Sequence, residues 1–368
     1  MISYRFYEGD SYDILNRWID NPKERGKYRL IVTSPPYYGH RHYGQSLNEI
    51  GQEKTDEIFI ERLLKIFIKC RDLLSEDGSL WIVIGDTRRR HGKLMIPHRL
   101  ALKLIEKGGY TFREDVIWYK KNNVSSSSKD NLAQAYETIL FLSKNENCFT
   151  NMNSIRIRGN EAREGRNKAP SSSYMIQYEA FKKDKEKIDT ILEIIHNAKP
   201  NTPFEELPTT NEIAHAYGYD PEKYCPTCHR KFKRHATRRR IGDHKHYPIF
   251  AVCNPSGKNP GNVWEVSTKA HYGNEHFAIF PEDLISRIIK FVTEKGDWVL
   301  DPFAGRGTTG IVCAFLGRNF TGIDLYPESV AKAKKNIADA TKGKLSSATW
   351  NIMYLEEMQI LEQQHRLL

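Results

Sequence analysis

Two short segments combine residue types that can do chemistry, although they lie far apart in the chain. The first is TSPPY at residues 33–37, which follows the apolar run 30–32. Because proline lacks a backbone N–H and fixes φ, the two prolines should end a strand and stiffen the turn that follows. The Ser34 hydroxyl and a proline carbonyl could orient an amino group, and Tyr37 offers a flat face to a planar base. An ordinary structural turn is the alternative interpretation.

The second segment is WVLDPFAGRGTTG at residues 298–310, which has the pattern of a strand, a glycine turn and a helix start. Gly305 and Gly307 allow the backbone to approach a ligand closely, and the free amides of a helix N-terminus can hold an anion. Asp324 ends the next predicted strand, 19 residues after Gly305, where an acid commonly binds ribose hydroxyls. The segment therefore predicts a nucleotide site, with a tight turn that holds no ligand as the alternative.

The sequence GRGTTG at residues 305–310 also matches the GxGxxG pattern of dinucleotide-binding proteins. A nicotinamide-dependent oxidoreductase is therefore a competing hypothesis. Such a fold normally begins with its glycine fingerprint, whereas only 58 residues follow Gly310 in this chain. Most of the sheet must come from the N-terminal part of the chain, so the order of elements is permuted relative to that fold.

Alternating strand and helix patterns surround both segments and must position them. Apolar runs predict strands at residues 4–7, 29–32, 80–84, 115–119, 138–142, 298–300 and 320–323. Amphipathic spacing predicts helices at residues 10–19, 58–74, 94–107, 281–292, 308–316 and 327–340, with Pro281 at the first position of its helix. This alternation predicts an α/β fold with a doubly wound, mostly parallel sheet. Ligands of such sheets bind at the carboxyl ends of the strands, where both segments would lie.

Length and composition limit the class of protein. The chain has 368 residues, and its 39% hydrophobic and 11% aromatic content excludes a disordered or fibrous protein. No apolar run approaches the ~18 residues of a membrane span, and the first residues, MISYRFYEGD, lack the layout of a secretion signal. Six cysteines are too few for a disulfide scaffold in a chain of this length, so a reducing cytoplasm is expected.

The net charge of +10 is concentrated in residues 151–261, where periodic apolar segments give way to polar stretches. This part carries 20 basic and 13 acidic side chains, a net charge of +7, and the rest of the chain carries the remaining +3. Basic side chains of this kind contact nucleic-acid phosphates, and a solvated basic surface is the alternative. The predicted DNA contacts are Arg230, Lys233, Arg234, Arg238, Arg239 and Arg240.

The same region contains a CxxC pair that resembles half of a zinc ribbon. A closed tetrahedral zinc site needs four ligands. The predicted set is Cys225, Cys228, Cys253 and His235, with His229, His244 or His246 as other choices for the fourth ligand. Zinc would contribute folding energy to a region that is poor in apolar residues. An unmetallated knuckle and a redox motif are the alternatives.

The order of the two segments, TSPPY at 33–37 before DPFAGRGTT at 301–309, resembles the permuted beta group of S-adenosylmethionine-dependent amino DNA methyltransferases, and within it the N4-cytosine subgroup. In that family the catalytic motif precedes the cofactor motif, and a target-recognition region lies between them. The similarity covers residues 1–150 and 262–340. It includes GDSYDIL at 9–15, GSLWIVIGD at 78–86, REDVIWYKKN at 113–122 and HFAIFPEDL at 276–284.

The resemblance implies a Rossmann-like methyltransferase fold with a basic insert. Its parts would be a catalytic half at 1–150, a target-recognition region with the zinc knuckle at 151–261, a cofactor-binding half at 262–345 and a helical tail at 346–368. It also implies S-adenosylmethionine as cofactor, double-stranded DNA as partner and a cognate restriction endonuclease in a restriction-modification system. A prokaryotic, cytoplasmic and nucleoid-associated protein is expected on the same ground.

The resemblance also assigns roles to individual residues. The cofactor residues are Asp10 for the adenine, Asp324 for the ribose, Phe280 and Pro281 for closing the methionine pocket, and Asp301, Phe303, Gly305, Gly307 and Thr308 for its lining. The base-binding residues are Ser34, Pro35, Pro36 and Tyr37. Members with Ser before Pro-Pro-Tyr mostly methylate N4 of cytosine, whereas adenine-N6 enzymes usually carry Asp or Asn there. Arg306 occupies a position where members of the family often have a small residue, and Asp324 occupies one where Glu is more frequent.

The implied reaction is a direct in-line methyl transfer to the exocyclic amine of a base that has been flipped out of the duplex. Acceptors at Ser34 and the Pro35 carbonyl should favour a pyramidal nitrogen, and no cysteine nucleophile is needed. Cys70, Cys148 and Cys313 lie in apolar segments and are expected in the core. The adenine-N6 enzyme is the nearest alternative, and a zinc-containing DNA-binding module without activity is a further one.

Overall fold

The structure is a computed structural model that describes residues 2–40, 49–89, 92–121, 131–157, 259–267 and 281–342. The chain divides into two compact units, one made of residues 1–155 with 260–368 and the other of residues 156–259. All elements given below belong to the first unit. The predicted division into two halves around an insert at 151–261 stays a prediction.

Ten strands form a large sheet and a small hairpin in the described part of the first unit. In chain order they are β1 (Tyr4–Glu8), β2 (Tyr28–Thr33), β3 (Leu74–Ile84), β4 (Arg88–Arg89), β5 (Gly92–Lys93), β6 (Thr111–Tyr119), β7 (Tyr136–Ser143), β8 (Val263–Glu265), β9 (Trp298–Asp301) and β10 (Asn319–Asp324). The eight-stranded sheet has the order β1-β10-β9-β2-β3-β7-β6-β8, and β4 pairs with β5. Strand β7 runs antiparallel to both neighbours, whereas the other pairs in the sheet are parallel.

The described helices follow the strands closely, as the doubly wound prediction requires. They are α1 (Ser11–Trp18), α2 (Asp56–Leu73), α3 (Ile96–Glu106), α4 (Glu282–Val292), α5 (Thr308–Leu316) and α6 (Pro327–Thr341), with a short 3₁₀ turn at Met152–Ile155. The prediction that Pro281 is the first residue of its helix was wrong by one residue, because α4 begins at Glu282. Pro281 has an extended ψ of 132°, so it caps α4 from outside, and its carbonyl accepts from the amides of Leu284 and Ile285.

The sheet separates two hydrophobic layers, which confirms the α/β fold with helices on both faces. Successive side chains of a strand point to opposite faces, so Leu30 and Val32 of β2 pack with α4 and α5 while Ile31 packs with α2 and α3. Strand β3 does the same, since Trp81 joins the first layer and Ile82 the second. Burial on both faces explains why these strands are continuous apolar runs.

The topology brings the carboxyl ends of β1, β10, β9, β2, β3 and β6 to one edge of the sheet, together with the start of the antiparallel strand β7. Both chemistry-bearing segments leave the sheet at this edge, one after β2 and the other after β9. Among the described residues, no helix combines the length and apolar character needed to cross a membrane.

Candidate active site

A hydrogen bond joins the two predicted motifs directly. Strands β2 and β9 are parallel neighbours, with Ile31 opposite Leu300, so the residues that follow them emerge side by side. The Thr33 hydroxyl donates to Oδ1 of Asp301 across 2.6 Å, although the two residues are 268 positions apart in the chain. The structure therefore brings the TSPPY turn and the glycine turn into one site.

Asp301 is almost fully buried and holds several elements together. Besides the bond from Thr33, its Oδ1 accepts from the Phe303 amide at 3.1 Å, and its Oδ2 accepts from the Thr309 hydroxyl at 2.6 Å. Burial raises the pKa of Asp301 to about 6, and the hydrogen bonds from these hydroxyls oppose that rise. The carboxylate thus fixes the end of β2, the glycine turn and the first turn of α5 relative to one another.

The glycine turn leaves open space at one position and packs tightly at another. Gly305 has φ of +51°, and a Cβ atom there would meet no heavy atom within 4 Å. Gly307 has φ of +83° and precedes α5, and a Cβ there would come within 2.8 Å of the Ala333 Cβ. Since the first amides of α5, beginning with Thr308, lack partners inside the helix, this open turn suits a ligand that carries negative charge.

Asp324 lies beside the glycine turn at the end of β10. Its Oδ2 accepts from the Gly305 amide at 2.8 Å and its Oδ1 from the Tyr326 amide at 3.1 Å. Burial raises the pKa of this carboxyl, and the two amides oppose that rise. An ionised carboxylate has about four lone-pair sites, so Asp324 keeps capacity for ligand hydroxyls.

Asp10 follows β1, the strand next to β10, and caps α1. Its carboxylate accepts from the Asp13 amide at 3.2 Å, and the neighbouring Ser11 hydroxyl donates to the Pro302 carbonyl at 2.5 Å. Asp10 and Asp13 also line an open cleft together with Ile50 and with Arg62 and Ile66 of α2. The predicted cofactor residues Asp10, Asp301 and Asp324 are therefore linked through the turns that follow β1, β9 and β10.

The TSPPY turn forms the other half of the site, and a chain of hydroxyl donors orders it. The Ser34 hydroxyl donates towards the Tyr37 oxygen at 3.5 Å, and the Tyr37 hydroxyl donates to Oε2 of Glu137 at 2.6 Å. The Lys120 ammonium bonds to the other oxygen of Glu137. Pro35 is buried behind Ser34, and Pro36 is half-buried.

The ring of Tyr37 rests against a glycine that sequence reasoning did not single out. A Cβ at Gly85 would lie 2.8 Å from Cε2 of Tyr37, so only glycine leaves room for the ring in this position. Gly85 follows β3 in the segment GSLWIVIGD. Sequence reasoning also missed Glu137, Lys120 and Thr33, because each acts through a partner that is distant in the chain.

Several predicted residues lie outside the described residues, and the hypotheses about them stay predictions. These are Phe280, the proposed zinc ligands Cys225, Cys228, Cys253 and His235, and the basic residues Arg230, Lys233, Arg234, Arg238, Arg239 and Arg240. Within the described ranges, no three His, Cys, Asp or Glu side chains are grouped so that they could hold a metal ion. Cys70 and Cys313 are buried and Cys148 is half-buried, as expected for core positions.

The fold and this junction of two motifs define a class of enzyme, and comparison with known proteins identifies it. The N6/N4 methyltransferase family, described as DNA methylase, matches residues 28–335, and the chain belongs to this family of DNA methyltransferases.

Curated relatives agree with that assignment, and a solved structure shares the fold. The type II methyltransferase M.Cfr9I of Citrobacter freundii is 28% identical over 353 residues, which cover 88% of this chain and 84% of the relative. The type II methyltransferase M.XycI of Xanthomonas campestris pv. cyanopsidis is 27% identical over 370 residues, which cover 93% of this chain and 88% of the relative. The PvuII DNA methyltransferase (cytosine-N4-specific) shares the fold with a TM-score of 0.55 at 16% identity, over 96% of this chain and 93% of that one.

Proposed function

We propose that this DNA methyltransferase transfers a methyl group from S-adenosylmethionine to the exocyclic N4 of a cytosine in duplex DNA. The observation that carries the proposal is the position of Ser34, which follows Thr33 at the junction with Asp301. Serine before Pro-Pro-Tyr is the residue expected of a cytosine-N4 enzyme. Because the curated relatives are type II methyltransferases, we further propose a specific target sequence and a cognate restriction endonuclease.

The glycine-turn half of the site fits S-adenosylmethionine. Asp324 keeps lone pairs for ribose hydroxyls, the open position at Gly305 admits a ligand close to the backbone, and the start of α5 suits the methionine carboxylate. We assign Asp10 to the adenine, and Phe303, Thr308 and Pro281 to the methionine end. When bound, S-adenosylmethionine supplies an electrophilic methyl group on a sulfonium centre.

The hydroxyl chain explains how Ser34 can hold an amino group. The Ser34 Oγ lies 3.5 Å from the Tyr37 oxygen, and the Tyr37 hydroxyl donates its own hydrogen bond to Glu137. If Ser34 donates to Tyr37, both lone pairs of its oxygen are left to accept hydrogen bonds. An exocyclic amine that donates to Ser34 and to the Pro35 carbonyl has its lone pair drawn out of conjugation with the ring. That lone pair would attack the methyl carbon in line as the bond from the methyl group to sulfur breaks, so that a neutral thioether would leave and the methylated amine would lose a proton to solvent.

Tyr37 provides the platform for the base. Extruding a base from the stack costs a few kcal/mol, which stacking on an aromatic ring can offset. The ring is held in place from two sides, by Gly85 at its edge and by Glu137 at its hydroxyl. A fixed ring loses little conformational entropy when the base arrives, so this turn is suited to receive a flipped cytosine.

To test the proposal, the protein is incubated with labelled S-adenosylmethionine and with genomic DNA from a strain that lacks this methyltransferase. The DNA is then digested to nucleosides. We expect N4-methylcytosine. Label found only in N6-methyladenine would overturn the choice of base, and no transfer to DNA would overturn the activity. Ser34→Ala should lower turnover more than cofactor binding, whereas Asp324→Ala should chiefly weaken cofactor binding. Equal loss of cofactor affinity in both variants would contradict the two roles.

A further inference from the structure

We propose that the β4–β5 hairpin is a binding site for the DNA backbone next to the catalytic turn, with Arg88, Arg89 and Lys93 as its phosphate contacts. The inference rests on DNA being the substrate, as in the proposed function. It is separate from the basic cluster at 230–240, because it concerns a different part of the chain and a described part of the structure.

The hairpin is anchored firmly at the edge of the sheet that carries the site. Asp86, which follows Gly85, accepts from the amides of Thr87 at 2.9 Å, Met95 at 3.1 Å and Ile96 at 3.0 Å. One carboxylate thus binds both ends of the segment that contains the hairpin. The hairpin therefore projects from a fixed base, close in the chain to the glycine that supports the Tyr37 ring.

Two of the hairpin cations contact the chain neighbours of the site residues. The Arg89 guanidinium donates to the Tyr38 hydroxyl at 2.7 Å and lies 4.9 Å from the centre of that ring. The Lys93 ammonium lies 5.1 Å from the centre of the Tyr136 ring. Tyr38 and Tyr136 adjoin Tyr37 and Glu137 in sequence, so each of these cations contacts a residue next to one partner of the Tyr37–Glu137 bond.

The charges on the hairpin are arranged in a way that favours an anionic partner. Arg88 and Lys93 are directly opposite each other in the β4–β5 ladder, and like charges at opposed positions destabilise a strand pair. Arg89 and Lys93 rest on neutral aromatic rings, and the Asp56 carboxylate, which interacts with the Arg89 charge, is itself paired with Arg99. A polyanion that binds across the hairpin would relieve the repulsion and pair with the charges.

The chemistry matches backbone phosphates rather than bases. Guanidinium and ammonium groups donate charge-assisted hydrogen bonds to phosphate oxygens, and contacts of this type position a protein on DNA without reading sequence. A base that enters the site at Tyr37 draws its own sugar and phosphate to the same edge of the sheet. The hairpin is placed to hold the strand at that point while the base is out of the stack.

The test compares two triple variants with the same loss of charge. Arg88→Gln, Arg89→Gln and Lys93→Gln are combined in one protein. Lys23→Gln, Arg25→Gln and Lys295→Gln are combined in the control, since these exposed residues lie in the turns that lead into β2 and β9 at the opposite edge of the sheet. Affinity for duplex DNA is measured over a range of salt concentrations, together with methyl transfer and cofactor binding.

We expect the hairpin variant to bind DNA at least tenfold more weakly. Its slope of log K against log salt should decrease by about 0.9 for each phosphate that the protein no longer neutralises, while cofactor affinity stays at the wild-type value. The control should keep the wild-type slope. Equal slopes in all three proteins, or equal changes in both variants, would overturn the inference.

Two further measurements distinguish failure of the hairpin site from failure of the proposed function. If the triple variant fails to fold, Arg88→Gln and Lys93→Gln are measured singly, because neither removes the Arg89 contact with Tyr38. If the wild-type protein methylates DNA and the variants keep the wild-type salt slope, only the hairpin site is contradicted. Wild-type protein that neither binds nor methylates DNA contradicts the proposed function first.

Discussion

The Thr33 hydroxyl donates a 2.6 Å hydrogen bond to Asp301, and both side chains are buried, with exposed fractions of 0% and 3%. This bond connects the strand that presents the base-binding turn to the strand that presents the glycine turn. A hydrogen bond to an ionised group contributes roughly 1.5–3 kcal/mol, more than a neutral pair. The relative position of the two half-sites is therefore set inside the protein, before either ligand binds.

Replacing Thr33 by Val should weaken this junction. Valine keeps the shape but leaves a buried carboxylate oxygen with one donor fewer, so we expect the free energy of unfolding to fall by about 1–3 kcal/mol. Turnover should fall as well, because Ser34 is the next residue. Urea unfolding and methyl transfer at saturating cofactor measure the two effects. Thr33→Ser, which keeps the hydroxyl, is the matched control, and equal behaviour of the two variants would contradict the role of the bond.

The buried carboxyl of Asp301 predicts a dependence of stability on pH. Its folded pKa of about 6 lies above the unfolded value of about 3.9, so the folded state binds more protons between these values. The contribution of Asp301 to stability is therefore greatest below about pH 4 and is lost as the pH rises through 6, a change on the order of 3 kcal/mol.

Asp301→Asn removes this titration. The difference in free energy of unfolding, wild type minus Asp301→Asn, should decrease as the pH is raised from 4 to 6 and stay constant above about 7. Taking the difference cancels the opposite trend from surface carboxylates with lowered pKa, such as Glu61 beside Lys103. A difference that is flat over this range, measured by denaturant unfolding, would show that Asp301 titrates normally.

The sequence predicts the strand ends that carry the site, because an apolar run that stops at proline or glycine marks the end of a buried strand. The ends at Thr33 and Asp301 were predicted in this way to within one residue. The direction of β7 was not predicted, since the apolar run 138–142 has the same pattern in either direction. The register with β3, which runs from Ser79 opposite Ser143 to Ile84 opposite Thr138, shows that this strand is antiparallel.

That reversal explains why Glu137 was missed. In an antiparallel strand the first residues, rather than the last, lie at the carboxyl edge of the neighbouring strands, so Glu137 at the start of β7 reaches Tyr37. The partners of Asp301 were missed for a related reason. A hydroxyl that meets a carboxylate across 268 residues leaves no periodic signal in the sequence.

Glu137→Gln should impair the use of DNA while leaving cofactor binding unchanged. The charge-assisted bond from Tyr37 becomes a neutral one, which weakens it by roughly 1.4 kcal/mol and should lower kcat/KM for DNA about tenfold. Glu76→Gln is the matched control, because Glu76 also pairs with a lysine, Lys144, but at the other edge of the sheet. Steady-state methyl transfer with varied DNA measures the effect, and an equal loss in Glu76→Gln would argue against a local role.

Gly85→Ala should displace the Tyr37 ring. Gly85 does not have a positive φ, so alanine introduces no backbone strain, and its effect must come from the Cβ atom placed 2.8 Å from the ring. We expect a loss of at least tenfold in kcat/KM for DNA, with little change in cofactor affinity, because the ring moves away from the position where a base would stack.

A double-mutant cycle shows whether the ring carries that effect. In a Tyr37→Ala background the new Cβ has no ring to displace, so Gly85→Ala should add little to the loss already caused by removing the platform. The interaction energy is obtained from kcat/KM for DNA in the four proteins, with thermal unfolding recorded for each. If the two losses simply add, Gly85 acts on the site through something other than Tyr37, and the platform is not held as the structure indicates.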